Sequence, residues 1–158
     1  MDNDRYPMTL EGKRHLELEL KELREVKRPA NVKAIEEARA HGDLSENAEY
    51  HAAKEEQALI AGRMDYLNDR IGRAEVIDIA KLSGDRVVFG AIVTFENINT
   101  QEETTYRILG DDESNIDEGS ISISSPIARA LIGREVGDEV KIKTPSGERK
   151  VEITDVEF

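Results

Sequence analysis

The chain has no cysteine and no tryptophan in 158 residues. Without thiols, disulfides and thiolate metal sites are excluded. Long apolar runs are missing too: nothing approaches the ~20 residues needed to span a bilayer. Met1-Asp2-Asn3-Asp4-Arg5 lacks the apolar core of a signal peptide. No membrane association is expected, and a reducing, cytoplasmic compartment fits best. There is no basic surplus either. The formal net charge is −12, and neither the first 80 residues nor the remainder is basic. Neutralising duplex phosphates takes clustered Lys and Arg, so no independent binding of duplex DNA is expected.

What is present is a pair of long helical periodicities flanking Gly42-Asp43-Leu44-Ser45-Glu46-Asn47. In the first, beginning near Thr9, Leu16, Leu20 and Leu23 are followed by Lys27 at the next seam position. Val32, Ile35 and Ala38 then resume the apolar face. Pro29 lies inside this arm; it removes a backbone donor and disfavours helical geometry at Arg28, so a kink or restart is expected. The second arm carries Ala53, Ile60, Met64, Leu67, Ile71 and Ala74, with Gln57 as the polar exception. From Ser45 to Ile77 it would extend about 50 Å at 1.5 Å per residue. Neither apolar stripe can stay in water, so the two arms pair as an antiparallel coiled-coil hairpin over 1–80. Gly42 suits the left-handed position beyond a helix end, and Asp43 with Glu46 three residues on fits a cap for the second arm.

After Ala80 the period becomes alternating. Lys81 to Asp85 reads as a linker, Val87 to Glu96 as a strand interrupted or bulged at Gly90, and Thr104 to Leu109 as another. Ile121 and Ile123 suggest a third strand. Ser125-Pro126 opens a short helix over Ile127 to Ile132, closed by Gly133. Val140 to Thr144 and Lys150 to Val156 form a terminal hairpin around Pro145-Ser146-Gly147. Strands with one helix make 81–158 a compact α+β domain.

Asp43 and Glu46 admit three uses: general acid and base, metal ligation, or plain helix capping. Capping is the commoner use of this spacing. Two features pull the other way. A cap does not need a hairpin tens of Å long, and loop tips on rigid scaffolds often carry function. The acids are also bracketed by Arg39, His41, Tyr50, His51 and Lys54, of which Tyr50 can stack on a base while Arg39 and Lys54 meet phosphates. Each alone is ordinarily a solvated helix residue. His41 and His51 are available to zinc but lie on separate arms. Mg²⁺ is usually held by one or two carboxylates plus substrate phosphates, so two acids on an open tip bind it feebly alone. Donation is the favoured chemistry: the tip completes the shell of a second ion in a site built by another macromolecule, where two-metal phosphodiester hydrolysis follows.

The run from His41 to Ala53 resembles the tip signature of the bacterial Gre transcript-cleavage factors. The resemblance continues through Pro7-Met8-Thr9, Ala74-Glu75-Val76-Ile77-Asp78, Phe89-Gly90-Ala91 and Thr105-Tyr106-Arg107-Ile108. It extends to Gly110-Asp111-Asp112-Glu113 and Ser125-Pro126-Ile127-Ala128-Arg129. It implies an α+β protein, with an N-terminal coiled-coil hairpin followed by a C-terminal FKBP-like α+β domain. It further implies binding to RNA polymerase at the secondary channel, with the C-terminal domain docked at the rim. By position, Asp43 and Glu46 are the acids that help hold a Mg²⁺ shared with the polymerase, and its attacking water. Backtracked RNA is then cleaved near its 3′ end by the polymerase's own active site, so the chain is not an enzyme by itself. Arg39, Lys54 and Tyr50 would face RNA, with Lys54 standing where relatives often carry Arg and lacking its bidentate phosphate contact. Docking would centre on Ser124, Ser125 and Pro126.

Three other readings compete. An anti-cleavage paralogue would occupy the channel and inhibit, but those proteins bear a more heavily acidic tip than Asp-Leu-Ser-Glu-Asn. A prolyl isomerase wants an aromatic-lined pocket, and the C-terminal half offers only Phe89, Phe95, Tyr106 and Phe158. A coiled-coil adaptor would make tip substitutions silent.

Overall fold

A computed structural model describes residues 4–43 and 46–158. They fall into two compact units, Lys13–Ala74 and the remainder, in which the chain up to Gly12 joins Glu75–Phe158. The fold is α+β, as expected, with the helical hairpin in one unit and the sheet in the other. No helix among the described residues is long and apolar enough to cross a membrane.

In the hairpin, α1 (Leu10–Glu22), a π-helical turn (Leu23–Lys27) and α2 (Arg28–Arg39) make one arm, and α3 (Ala48–Gly72) makes the other. Asn31 meets Ala53, Arg28 meets Met64 and Glu19 meets Arg63, so the arms run antiparallel. The buried seam is Leu16, Leu23, Asn31, Ile35 and Ala38 against Ala53, Ile60, Met64 and Leu67. Leu20 and Gln57 are half-buried, while Val32 is 44% exposed. The expected restart at Pro29 takes a different form. Arg28 stays helical (φ −64, ψ −47) and donates its N–H to the Leu23 carbonyl, five residues back. Widening that turn relieves the clash between the Pro29 ring and the carbonyl four residues before it. The extra residue in the turn advances the seam by one, from position 30, seven after Leu23, to Asn31, whose Nδ2 donates to the Ala53 carbonyl at 2.9 Å. A buried amide thus finds its partner across the hairpin.

Across the two arms, Arg63 clasps Glu19 through Nε (2.5 Å) and Nη2 (2.9 Å). The Arg63 hydrogen bond holds the Glu19 carboxyl below the usual carboxylate range, against the opposing pull of partial burial. That contribution to stability is present above the ordinary carboxylate range and is lost as pH falls through the depressed value. Both side chains are well exposed, so screening keeps it small.

The second arm is shorter than expected. It starts at Ala48 rather than Ser45, which lies outside the described residues, and ends at Gly72. Its 25 residues extend about 37 Å. Ala74–Val76 is a strand, β2, paired with β1 (Tyr6–Met8) in a two-stranded sheet.

The C-terminal sheet has order β5-β4-β3-β7-β6, from β3 (Ile92–Asn97), β4 (Glu103–Leu109), β5 (Ser120–Ser122), β6 (Glu139–Thr144) and β7 (Gly147–Glu157). All pairs are antiparallel except β4 with β5. Val87 to Ala91 is not strand: Gly90 turns the chain with φ +88 and the ladder starts two residues later. A bulge does occur, between Thr94 and Phe95 against β7. Ile123 lies just past the short β5. Helix α4 (Pro126–Leu131) covers the inner face, where Val93, Ile108, Leu131, Ile142 and Ile153 are fully buried.

The outer face carries a row of like charge. Glu103 pairs with Glu96, Glu96 with Glu152, and Glu152 with Glu139, so four carboxylates stand opposite one another across four strands. Directly opposed like charges destabilise a sheet by roughly 0.2–1 kcal/mol per pair. Glu152→Lys, which converts two repulsive pairs to attractive ones, is expected to raise stability by about 1 kcal/mol in a urea melt at low salt, with the gain shrinking as salt is added.

Candidate functional site

The hairpin turn is built from both arms. At its start, His41 donates its N–H to the Ala38 carbonyl (3.2 Å) and Gly42 donates to Arg39 (3.3 Å). Gly42 then takes φ +108, the conformation expected of it and strained for any side chain. At its end, the Asn47 side chain accepts from the Tyr50 N–H at 3.0 Å while its Nδ2 donates to the Ala38 carbonyl at 2.6 Å. One side chain therefore caps α3 and ties it to the last turn of α2.

This corrects the capping assignment. The N-cap of α3 is Asn47, in extended conformation (φ −87, ψ 96), not Asp43. Glu46 consequently precedes the helix and occupies no capping-box position. Both acids are exposed. The bland use of the pair, helix capping, is taken by another residue. Asn47→Ala is expected to cost about 1–2 kcal/mol, since it removes the cap and the cross-arm bond together; thermal melts read it directly.

Arg39 and Tyr50 do come together, as their bracketing of the tip suggested. The Arg39 guanidinium stands 5.9 Å from the centre of the Tyr50 ring, and His51 meets the same ring edge-on at 5.7 Å. His41 Nε2 lies 3.7 Å from Glu49, so the two histidines contact different partners rather than converging. Lys54 is exposed and donates to Gln57 Oε1 at 2.9 Å. In the other unit, Ser125 accepts from the Ala128 N–H and caps α4, with Pro126 in its first turn, as the sequence predicts. Ser124 is exposed and donates to Asp111 Oδ1 at 2.7 Å.

Two family models cover nearly the whole chain. "Transcription elongation factor, N-terminal" matches residues 6–76, and "Transcription elongation factor, GreA/GreB, C-term" matches 82–158. The chain belongs to the GreA/GreB family of transcription elongation factors. Curated relatives bearing the name GreA include that of Hyphomonas neptunium, 54% identical over 98% of this chain and 99% of its own. That of Mesorhizobium japonicum is 56% identical over the same shares. The crystal structure of GreA factor homolog 1 (Gfh1) from Thermus thermophilus is 28% identical and covers 98% of this chain and 99% of that one, with a TM-score of 0.45.

Sequence reasoning missed Asn47 because Asp43, directly after the helix-ending glycine, offered the more obvious cap. The signal was there: Asn47 is followed by Ala48-Glu49, a good first turn. It also missed Glu113, which accepts from the Thr9 N–H (2.9 Å) and from Thr9 Oγ1 (2.5 Å) while Thr9 caps Gly12. A capping box is normally closed by a residue three positions on; here the acid lies 104 residues further along the chain, where no local pattern reveals it.

Proposed function

We propose that this Gre-family chain binds RNA polymerase through the secondary channel and stimulates the polymerase's own endonucleolytic cleavage of backtracked nascent RNA. The observation that carries this reading is the exposed acid pair at the hairpin turn, beside a helix α3 whose N-cap is Asn47. Asp43 and Glu46 are hard oxygen donors of the kind Mg²⁺ takes, and supply at most two of its roughly six ligands. They fit a shared ion whose remaining ligands come from the polymerase and the RNA phosphate. Bound there, Mg²⁺ supplies Lewis acidity and a water activated for attack on the phosphodiester.

The chain's own residues deliver and orient. The paired arms carry the acids at their shared end, and the Asn47 bonds tie the start of α3 to the last turn of α2. Tyr50, beside the Arg39 guanidinium, would stack on a base of the RNA 3′ segment, and Lys54, one helical turn on, would meet a phosphate. Docking at the channel rim falls to the Ser124–Pro126 corner, where Ser125 and Pro126 set the start of α4 and Ser124 is exposed. The test is a stalled elongation complex with 3′-labelled RNA, incubated with and without this chain. Accelerated release of a short 3′ fragment is expected. Suppression of the polymerase's basal cleavage would instead assign the anti-cleavage role.

A further inference from the structure

Asn47 makes three hydrogen bonds, and starting α3 accounts for two of them. Its backbone carbonyl accepts from the His51 N–H (3.1 Å), and its side-chain oxygen accepts from the Tyr50 N–H (3.0 Å). The third bond is different in kind: Nδ2 reaches the other arm and donates to the Ala38 carbonyl at 2.6 Å. Aspartate and serine cap helices about as well as asparagine. Ionised aspartate, however, has no donor, and the serine side chain ends one bond earlier. Capping alone therefore does not require asparagine here; capping together with the cross-arm bond does.

The acceptor is also informative. Ala38 is buried and lies in the last turn of α2, where carbonyls lack helical partners. Its carbonyl also accepts the His41 N–H (3.2 Å), and the neighbouring Arg39 carbonyl accepts the Gly42 N–H (3.3 Å). Both ends of the hairpin turn are thus anchored on two adjacent carbonyls of α2. Asp43 directly follows one anchored residue, Gly42, and Glu46 directly precedes the other, Asn47. Consecutive Cα atoms are about 3.8 Å apart, so each acid stands one peptide from an anchor.

We propose that Asn47 is a positioning residue for the tip carboxylates: its Nδ2 bond to the Ala38 carbonyl sets the spacing of Asp43 and Glu46 for a divalent cation, a role separate from capping α3. This rests on the metal-donation reading above. A cation shared by acids from the two ends of a turn needs both oxygens at coordination distance at once, ~2.1 Å for Mg²⁺, and a turn free to splay loses that geometry. Groups that only orient metal ligands typically change affinity or activity by about 10–100-fold when removed.

Asn47→Ser separates the two roles, because it keeps a good cap and loses the reach to Ala38; Asn47→Ala removes both. In stalled elongation complexes at saturating factor, both variants are expected to lower stimulated RNA cleavage by about tenfold or more and to raise the half-saturating Mg²⁺ concentration. Polymerase Kd should be unchanged for both, and Asn47→Ser should melt above Asn47→Ala. In the free chain, NMR should show the Asn47 side-chain amide protons exchanging with water more slowly than those of exposed Asn99. Full stimulation with unchanged Mg²⁺ dependence for Asn47→Ser, the loss being confined to Asn47→Ala, would reduce Asn47 to a cap and leave the cleavage reading standing. A Kd that rises as far as the rate falls, or side-chain exchange as fast as at Asn99, also overturns the assignment. Failure of the unaltered chain to stimulate cleavage at any Mg²⁺ concentration overturns the cleavage reading and this role with it.

Discussion

Asp43→Asn and Glu46→Gln are each expected to lower stimulated RNA cleavage by on the order of 100-fold or more while leaving polymerase binding within a factor of about two. The substitutions are nearly isosteric, so what they remove is negative charge at the metal. Because Asn47, not Asp43, caps α3, neither change removes a helix cap, and folding stability should move by only a few tenths of a kcal/mol. Equal losses of binding and cleavage would make these acids docking groups. A stability loss beyond about 1 kcal/mol for Asp43→Asn would return it to a structural role.

Gly110→Ala is expected to have the largest effect on stability. A Cβ at that position would stand 2.6 Å from the Pro7 carbonyl oxygen and 3.0 Å from a Glu113 carboxylate oxygen. The first of these is backbone and cannot swing away. The segment from Tyr6 to Thr9 is held there by the β1–β2 pairing, the Ile77 N–H donating to the Met8 carbonyl, and the two Thr9 bonds to Glu113. Accommodating one methyl therefore means shifting a strand end, at a cost of about 1–3 kcal/mol. Denaturant midpoints compared at constant m-value measure it. No loss would mean that Pro7 and its neighbours detach easily from the globular unit.

Local patterns were legible where a local cause sets the structure. The α-helical arms follow from their apolar stripes, Gly42 from the φ it must adopt, and α4 from the Ser125-Pro126 pair. Residues whose structure depends on distant chain were not. Ala74 fits a helical seam as well as a strand, and only its neighbour β1, far away in sequence, decides for the strand. The seam reaches Asn31, eight residues after Leu23 and not seven, because a π turn beside Pro29 inserts one residue, and no hydrophobic count anticipates that. For the tip, composition and spacing brought out the acids and Arg39 with Tyr50. Which residue caps α3 depended on Asn47 reaching both ways, to the Tyr50 N–H and the Ala38 carbonyl.

Everything rests on carboxylates supplied to a metal that another protein also holds. The direct measurement is the Mg²⁺ dependence of the stimulated cleavage rate, compared between the unaltered chain and Glu46→Gln at saturating factor. A missing oxygen donor should raise the half-saturating Mg²⁺ concentration by about tenfold or more, with partial recovery of rate at high Mg²⁺. An unchanged half-saturation point, with the rate simply reduced at every concentration, would contradict metal donation by the tip.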